Sequence, residues 1–294
     1  MMMRLTRNRI RKALSDDALG DSLAKKSPSP LKRQCAISTS DANLSRRLAG
    51  SDDSDSMEIE EASGASSWQP RYWRQQLDNI REMRASKDAP VDSMGASSCI
   101  DPNSSAKDQR FQILLSLMLS SQTKDEVTSE AMKRLQERGC SVSTVMAMTE
   151  AELGEIIKPV GFWKTKAKHI KETTQLLEAK YSGDIPSTYE QVCQLRGVGP
   201  KMAHLVMLLA WKQCTGIAVD THVHRISNRL GWVQAATSSP EATRKALESW
   251  MPRELWVDSN KLLVGFGQQI CKASKPDCAR CLNRNICPYA LMHM

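Results

Sequence analysis

The chain has 294 residues, of which 40% are hydrophobic and 25% charged, and its formal net charge is +8. This length allows one large or two modest domains with a buried core, and the basic balance favours a polyanionic partner. The longest apolar runs are far shorter than the roughly 20 residues of a membrane-spanning helix, and nine cysteines in so long a chain exclude a small disulfide scaffold.

Residues 1–67 form a polar segment rich in Ser, Asp and Lys, and we expect it to be disordered because it cannot bury enough apolar area. Its first 14 residues are rich in arginine and contain no acid, as in a mitochondrial presequence. Lys25-Lys26 and Lys32-Arg33 resemble a nuclear address. These signals predict a nuclear and mitochondrial protein, and the alternative is a solvated basic tail.

Ordered structure is expected from Trp68 onward, and from residue 108 the pattern is one helix after another. Phe111 to Leu119 is apolar nearly all round, which predicts a buried central helix. Three Ser/Thr-x-x-Glu patterns, beginning at Thr123, Thr149 and Ser187, predict helix starts with capping boxes. Because alternating β-branched runs are absent, we predict an all-α fold.

A glycine hairpin is predicted where Gly197 and Gly199 separate two helices. Pro200 suits the first position of the second helix. Free backbone amides at such a helix start can bind a DNA phosphate, which favours a helix-hairpin-helix. The alternative is a plain turn between packed helices.

Lys201 and Asp220 are the candidate catalytic pair. Lys201 falls in the first turn after the hairpin, where the helix dipole disfavours an ammonium group, so its amine is a candidate nucleophile. Asp220 is the predicted N-cap of the helix that follows it, and a carboxylate beside an amine can accept its proton or stabilise a cationic sugar. The simpler alternatives are a helix cap and a phosphate contact. His222 and His224 are expected to pack or hydrogen-bond.

Four cysteines near the end of the sequence, Cys271, Cys278, Cys281 and Cys287, follow the spacing C-x6-C-x2-C-x5-C. Clustered thiolates bind iron-sulfur clusters or zinc. Zinc sites usually pair two short C-x2-4-C units, whereas only Cys278 and Cys281 are so close here.

Together these motifs resemble, in order, those of the endonuclease III family of DNA glycosylases, most closely its eukaryotic members. The resemblance covers roughly residues 69–294. Its matching segments are residues 119–125, 160–166, the hairpin with its lysine, residues 219–225, residues 265–268 and the four cysteines. One departure is Arg196, which stands where the family commonly has proline.

The resemblance implies a six-helix barrel over residues 103–214, and a second helical domain from residues 68–102 and 215–294 around a [4Fe-4S] cluster held by the four cysteines. It implies that Lys201 attacks C1′ of an oxidised pyrimidine nucleotide with help from Asp220, and that β-elimination then cuts the strand. Gln122 and Phe162 would enter the duplex beside the extruded nucleotide, and both are predicted to lie in loops. The implied partner is double-stranded DNA with oxidised pyrimidines or abasic sites, bound by a monomer.

Three alternatives remain at this point. One is a zinc module, and another is a non-catalytic helix-hairpin-helix DNA-binding protein with a structural metal site. The third is the adenine glycosylase branch, which usually lacks the hairpin lysine and continues into a further domain, whereas this sequence has the lysine and ends after the cysteines.

Overall fold

Every regular element in residues 68–293, the part of the chain that the computed structural model describes, is a helix. The all-α prediction is therefore confirmed, whereas the predicted disordered tail and its targeting signals lie outside the described residues. The α-helices in chain order are α1 (Trp73–Met83), α2 (Pro90–Met94), α3 (Ala106–Ser120), α4 (Asp125–Glu137), α5 (Val142–Ala147), α6 (Glu150–Ile157), α7 (Trp163–Tyr181), α8 (Tyr189–Cys193), α9 (Pro200–Trp211), α10 (Thr221–Leu230), α11 (Pro240–Glu248), α12 (Trp256–Gln269) and α13 (Pro288–His293).

The helix starts follow local capping signals in part. The capping box of Thr149 and Glu152 at the start of α6 is confirmed, since each side chain bonds the other residue's backbone amide. The box predicted at Thr123 is wrong, because α4 begins after Lys124 and no side chain caps it. The cap predicted at Ser187 is also wrong, because Thr188 caps α8 one residue later.

Helix α3 is the buried central helix that the sequence predicted. All nine residues from Phe111 to Leu119 are buried, and the helix packs against α4, α7 and α9. A helix that is apolar all round must be covered on every side, so its neighbours are fixed around it.

Two hydrophobic clusters occur within residues 68–293. The first contains buried side chains between Cys99 and Ala218, including those of α3 and α9. The second joins buried residues of α1 to others between Ile217 and Ala290, including those of α10 and α12. The domain boundaries at residues 103 and 214 stay a prediction.

Helix α2 packs against both α4 and α12, two helices that lie far apart in the sequence. Among the described helices, none combines the length and apolar character needed to cross a membrane.

Candidate active site and metal centre

The hairpin leads from α8 into α9 through two glycines that differ in their surroundings. Gly197 has a φ of +82°, and a Cβ there would lie 2.8 Å from Nδ1 of His169. Gly199 has an ordinary φ of −108°, and no atom of residues 68–293 comes within 4 Å of the position its Cβ would take. The fold therefore requires glycine at position 197, whereas position 199 is open on the side where a side chain would be.

The start of α9 carries free backbone amides. Pro200 occupies its first turn, as predicted, and the N-cap Gly199 has no side chain to bond them. Donors left without a partner in the helix, together with the positive end of the helix dipole, make this turn suited to an anion. Arg196 next to the turn contacts Glu172, with 3.7 Å between Arg196 Nε and Glu172 Oε2.

Asp220 is the N-cap of α10, as the sequence predicted. Its Oδ1 accepts hydrogen bonds from the backbone amides of His222 and Val223, at 2.8 Å and 2.9 Å. These two bonds fix the carboxylate at the start of the helix. His222 and His224 are hydrogen-bonding residues, as expected: His222 pairs with Arg225, and His224 pairs with Thr243.

Lys201 and Asp220 act electrostatically on a common neighbour, the half-buried His222. Burial is the main cause that lowers the pKa of His222; the charge of Asp220 opposes this shift and the charge of Lys201 adds to it. The candidate amine and carboxylate thus share one neighbourhood, although they come from different helices.

Asp125, the first residue of α4, belongs to the same neighbourhood and was not singled out from the sequence. Burial is the main cause that raises the pKa of Asp125. A hydrogen bond from Gln268 and the charges of His222 and Lys201 act against this rise. Gln268 Nε2 donates to Asp125 Oδ2 at 2.7 Å, and Gln268 Oε1 accepts from the amide of Val91 at 3.1 Å. The only sequence signal for Asp125 was its place at the end of the 119–125 motif.

Gln122 and Phe162 lie in loops between helices, as predicted, and the structure brings these two loops together. The Gly161 amide donates to Thr123 Oγ1 at 3.2 Å, and a Cβ on Gly161 would lie 2.6 Å from the Gln122 carbonyl oxygen. Both Gln122 and Phe162 have positive φ, at 52° and 57°. The Phe162 side chain is 66% exposed, so it is accessible to a partner.

The four terminal cysteines line one pocket, together with residues of α10, α12 and α13. Burial raises the pKa of Cys281 to about 11 and raises that of Cys278 and Cys287. Within residues 68–293, no three His, Cys, Asp or Glu side chains converge closely enough to hold a metal ion. Four thiols that line one pocket form a donor set suited to a soft metal centre, either an iron-sulfur cluster or zinc.

The chain matches the family model described as HhH-GPD superfamily base excision DNA repair protein over residues 115–253. This segment contains Gln122, Phe162, the hairpin, Lys201 and Asp220, and it ends before the cysteines.

Two curated proteins show the extent of the similarity. Endonuclease III-like protein 1 of Bos taurus is 59% identical over 226 residues, which cover 77% of this chain and 74% of the bovine protein. Endonuclease III homolog 1, chloroplastic, of Arabidopsis thaliana is 47% identical over 230 residues, which cover 75% of this chain and 60% of the plant protein.

Two solved structures with bound DNA are also similar. A trapped endonuclease III–DNA covalent intermediate has a TM-score of 0.66 and 28% identity, and the match covers 76% of this chain and 98% of that chain. A non-covalent endonuclease III–DNA complex has the same TM-score and coverage at 29% identity.

Proposed function

Because this chain belongs to the endonuclease III family of base excision repair DNA glycosylases, we propose that it removes oxidised pyrimidines from double-stranded DNA and cuts the resulting abasic strand. The observation that carries this proposal is the position of Lys201. Its charge acts on Asp125 and His222, it follows the hairpin directly, and Asp220 lies beside His222.

The proposed reaction begins with attack of the neutral Lys201 amine on C1′ of the extruded nucleotide. The glycosidic bond between C1′ and the base nitrogen breaks, and its electron pair leaves with the base, which takes up one proton of the amine. The C1′–O4′ bond then breaks, O4′ keeps the electron pair and takes up the second amine proton, and C1′ and Nζ form a Schiff base. Loss of a C2′ proton then expels the 3′ phosphate by β-elimination, and water releases Lys201. Asp220 would accept the proton of the amine or stabilise the cationic sugar.

The proposed DNA contacts follow from the surfaces around this amine. The amides at the start of α9 would bind a backbone phosphate, and the open space at Gly199 would let that phosphate approach closely. Gln122 and Phe162 would fill the space that the extruded nucleotide leaves. We propose a monomer as the active form.

We propose that Cys271, Cys278, Cys281 and Cys287 hold a [4Fe-4S] cluster, which their shared pocket supports. Its role here would be to tie the loop between Cys271 and Cys287 to the second hydrophobic cluster, with no step of the reaction assigned to it. Absorbance near 400 nm with about four iron atoms per chain is the expected result, and a colourless protein with bound zinc would contradict it.

The Arg-rich start and the Lys/Arg pairs of residues 1–67 support a proposed location in the nucleus and mitochondrion. A fluorescent fusion of the whole chain, compared with one lacking residues 1–67, tests this proposal, since only the full chain should reach both compartments.

The decisive experiment for the activity compares the wild type with Lys201→Gln on a thymine-glycol duplex. The wild type should excise the base and become covalently trapped by borohydride, whereas Lys201→Gln should bind the duplex but lose both activities. Lys212→Gln is the matched control: Lys212 lies at the other end of α9, where it donates to the Leu209 carbonyl, and its loss should leave trapping unchanged. Trapping by Lys201→Gln would place the Schiff base on a different amine, and binding without excision by the wild type would leave a DNA-binding protein without this chemistry.

A further inference from the structure

Lys166, in the first turns of α7, is a buried lysine whose amino group lies at the end of α3. The residue is only 7% exposed. Its Nζ donates to the carbonyl oxygens of Leu119 and Ser121, at 2.7 Å and 2.5 Å, and to Thr123 Oγ1 at 3.1 Å. All three hydrogens of the ammonium group therefore have an acceptor.

The position of this ammonium group suits the end of a helix. The last carbonyls of a helix have no partner within it, and the dipole there favours a cation. Burial lowers the pKa of Lys166 to about 8, so the three-donor ammonium form predominates at neutral pH.

Thr123 connects this lysine to the loop that carries Phe162. Its Oγ1 accepts from Lys166 Nζ and also from the Gly161 amide, while Gly161 lies directly against the Gln122 carbonyl. The loop of Gln122 and the loop of Phe162 are thus joined to each other through one hydroxyl group and one buried ammonium.

Both loops need such support, because Gln122 and Phe162 are non-glycine residues in the left-handed region. Each such residue is strained and persists only where its surroundings hold it. A pair of exposed side chains that must enter a duplex together also needs a fixed spacing.

We propose that Lys166 is the positioning residue that sets the relative placement of Gln122 and Phe162, and hence the coupling of DNA binding to nucleotide extrusion. This inference rests on the proposed function, because it assumes that the two side chains enter DNA. Lys166 itself is not expected to touch the DNA.

The alternative is that Lys166 only caps α3 and has no effect on the two loops. The chain contains a matched control for this alternative. Lys171, on the same helix, donates to the carbonyls of Val145, Met146 and Met148 at the end of α5. It makes the same type of cap at a helix that carries neither Gln122 nor Phe162.

The test compares Lys166→Met and Lys171→Met in the full-length, metal-loaded chain, on a thymine-glycol duplex with 2-aminopurine next to the lesion. Lys166→Met should lower single-turnover excision by about ten- to a hundredfold. It should also reduce the 2-aminopurine fluorescence change that reports unstacking, while Kd for the duplex changes much less. Lys171→Met should lose similar thermal stability and keep both readouts near those of the wild type.

A second variant, Thr123→Val, removes the shared hydroxyl but leaves the two carbonyl bonds of Lys166 in place. Thr123→Val should lower excision and the 2-aminopurine fluorescence change as well, but by less than Lys166→Met. If Lys166→Met does not fold, Thr123→Val tests the proposed role of Lys166 in its place. Equal losses of excision and of the unstacking signal in the Lys166 and Lys171 variants, or full excision and unstacking by Thr123→Val, would overturn the inference. A wild type that fails to excise would instead overturn the proposed function.

Discussion

At the scale of single residues, the largely buried pair of Arg110 and Asp184 differs from the exposed ion pairs. Arg110 donates two hydrogen bonds to the Asp184 carboxylate, at 3.0 Å and 2.5 Å, and each side chain is 21% exposed. Burial acts to raise the pKa of Asp184, but the hydrogen bond from Arg110 and the amide of Ile185 outweigh it and hold that pKa below its usual value. The pair ties α3 to the turn after α7.

We predict that Asp184→Asn lowers the free energy of unfolding at pH 7 by about 1–3 kcal/mol, because Arg110 loses a charged acceptor. The native pKa of Asp184 is lowered, so its contribution is fully present above the unfolded value near 3.9 and is lost as pH falls through the native pKa. Urea unfolding across a pH series should therefore show the two proteins converging in acid.

Asp78→Asn is the control for this pH series, since its partner Arg81 is 48% exposed and Asp78 is 69% exposed. Exposed pairs contribute little, so this variant should match the wild type at every pH. A gap between Asp184→Asn and the wild type that stays constant down to pH 3 would assign the loss to packing instead of charge.

At the scale of elements, the sequence predicted what depends on neighbours in the chain and missed what depends on distant ones. The cap of α6 and the N-cap Asp220 are local patterns, and both are present. Thr123 has the same local pattern, but its hydroxyl bonds Gly161 and Lys166, which are far along the chain. Asp125 was overlooked for the same reason, because its partner Gln268 is 143 residues away.

The hairpin gives a prediction at this scale, because alanine substitutions of its two glycines should have different effects. Gly197→Ala should lower the free energy of unfolding by about 1–2 kcal/mol, since φ is positive and the new Cβ meets His169. Gly199→Ala should stay near wild-type stability, because the site is open and φ is ordinary. By the proposed function, Gly199→Ala should instead weaken binding to undamaged duplex. Thermal unfolding and fluorescence anisotropy together measure the two effects, and a Gly199→Ala protein with unchanged DNA affinity would argue against a phosphate at this turn.

At the scale of the whole molecule, the candidate site lies where the first and last parts of the described chain meet. Asp125 belongs to α4, Gln268 to α12, and the Val91 amide that Gln268 binds belongs to α2. The sequence motifs indicated Lys201 and Asp220, but only the fold shows that both act electrostatically on His222 and that Asp125 does so as well. The second hydrophobic cluster, which contains Val223 of α10, also contains Cys287.

This arrangement makes the stability of the second hydrophobic cluster depend on the cysteine pocket. Cys287 is one of its buried residues, and the other three cysteines pack against it. Arg225 and Arg229 hold the same loop by donating to the carbonyls of Cys271, Lys272 and Ala273. If a [4Fe-4S] cluster binds here, its loss removes the bonds that close the loop, and the arginine contacts alone must hold it.

We predict that Cys281→Ser abolishes absorbance near 400 nm and lowers Tm by about 4–8 °C, which corresponds to roughly 2 kcal/mol for a domain of this size. Cys214→Ser is the matched control, because Cys214 lies outside the pocket, and it should keep the colour and Tm of the wild type. Iron analysis, absorbance and thermal unfolding of the purified proteins provide the measurements. A colourless Cys281→Ser protein with wild-type Tm would mean that the cluster does not stabilise the wild-type fold. The hydrogen bonds from Arg225 and Arg229 would then suffice to hold the loop.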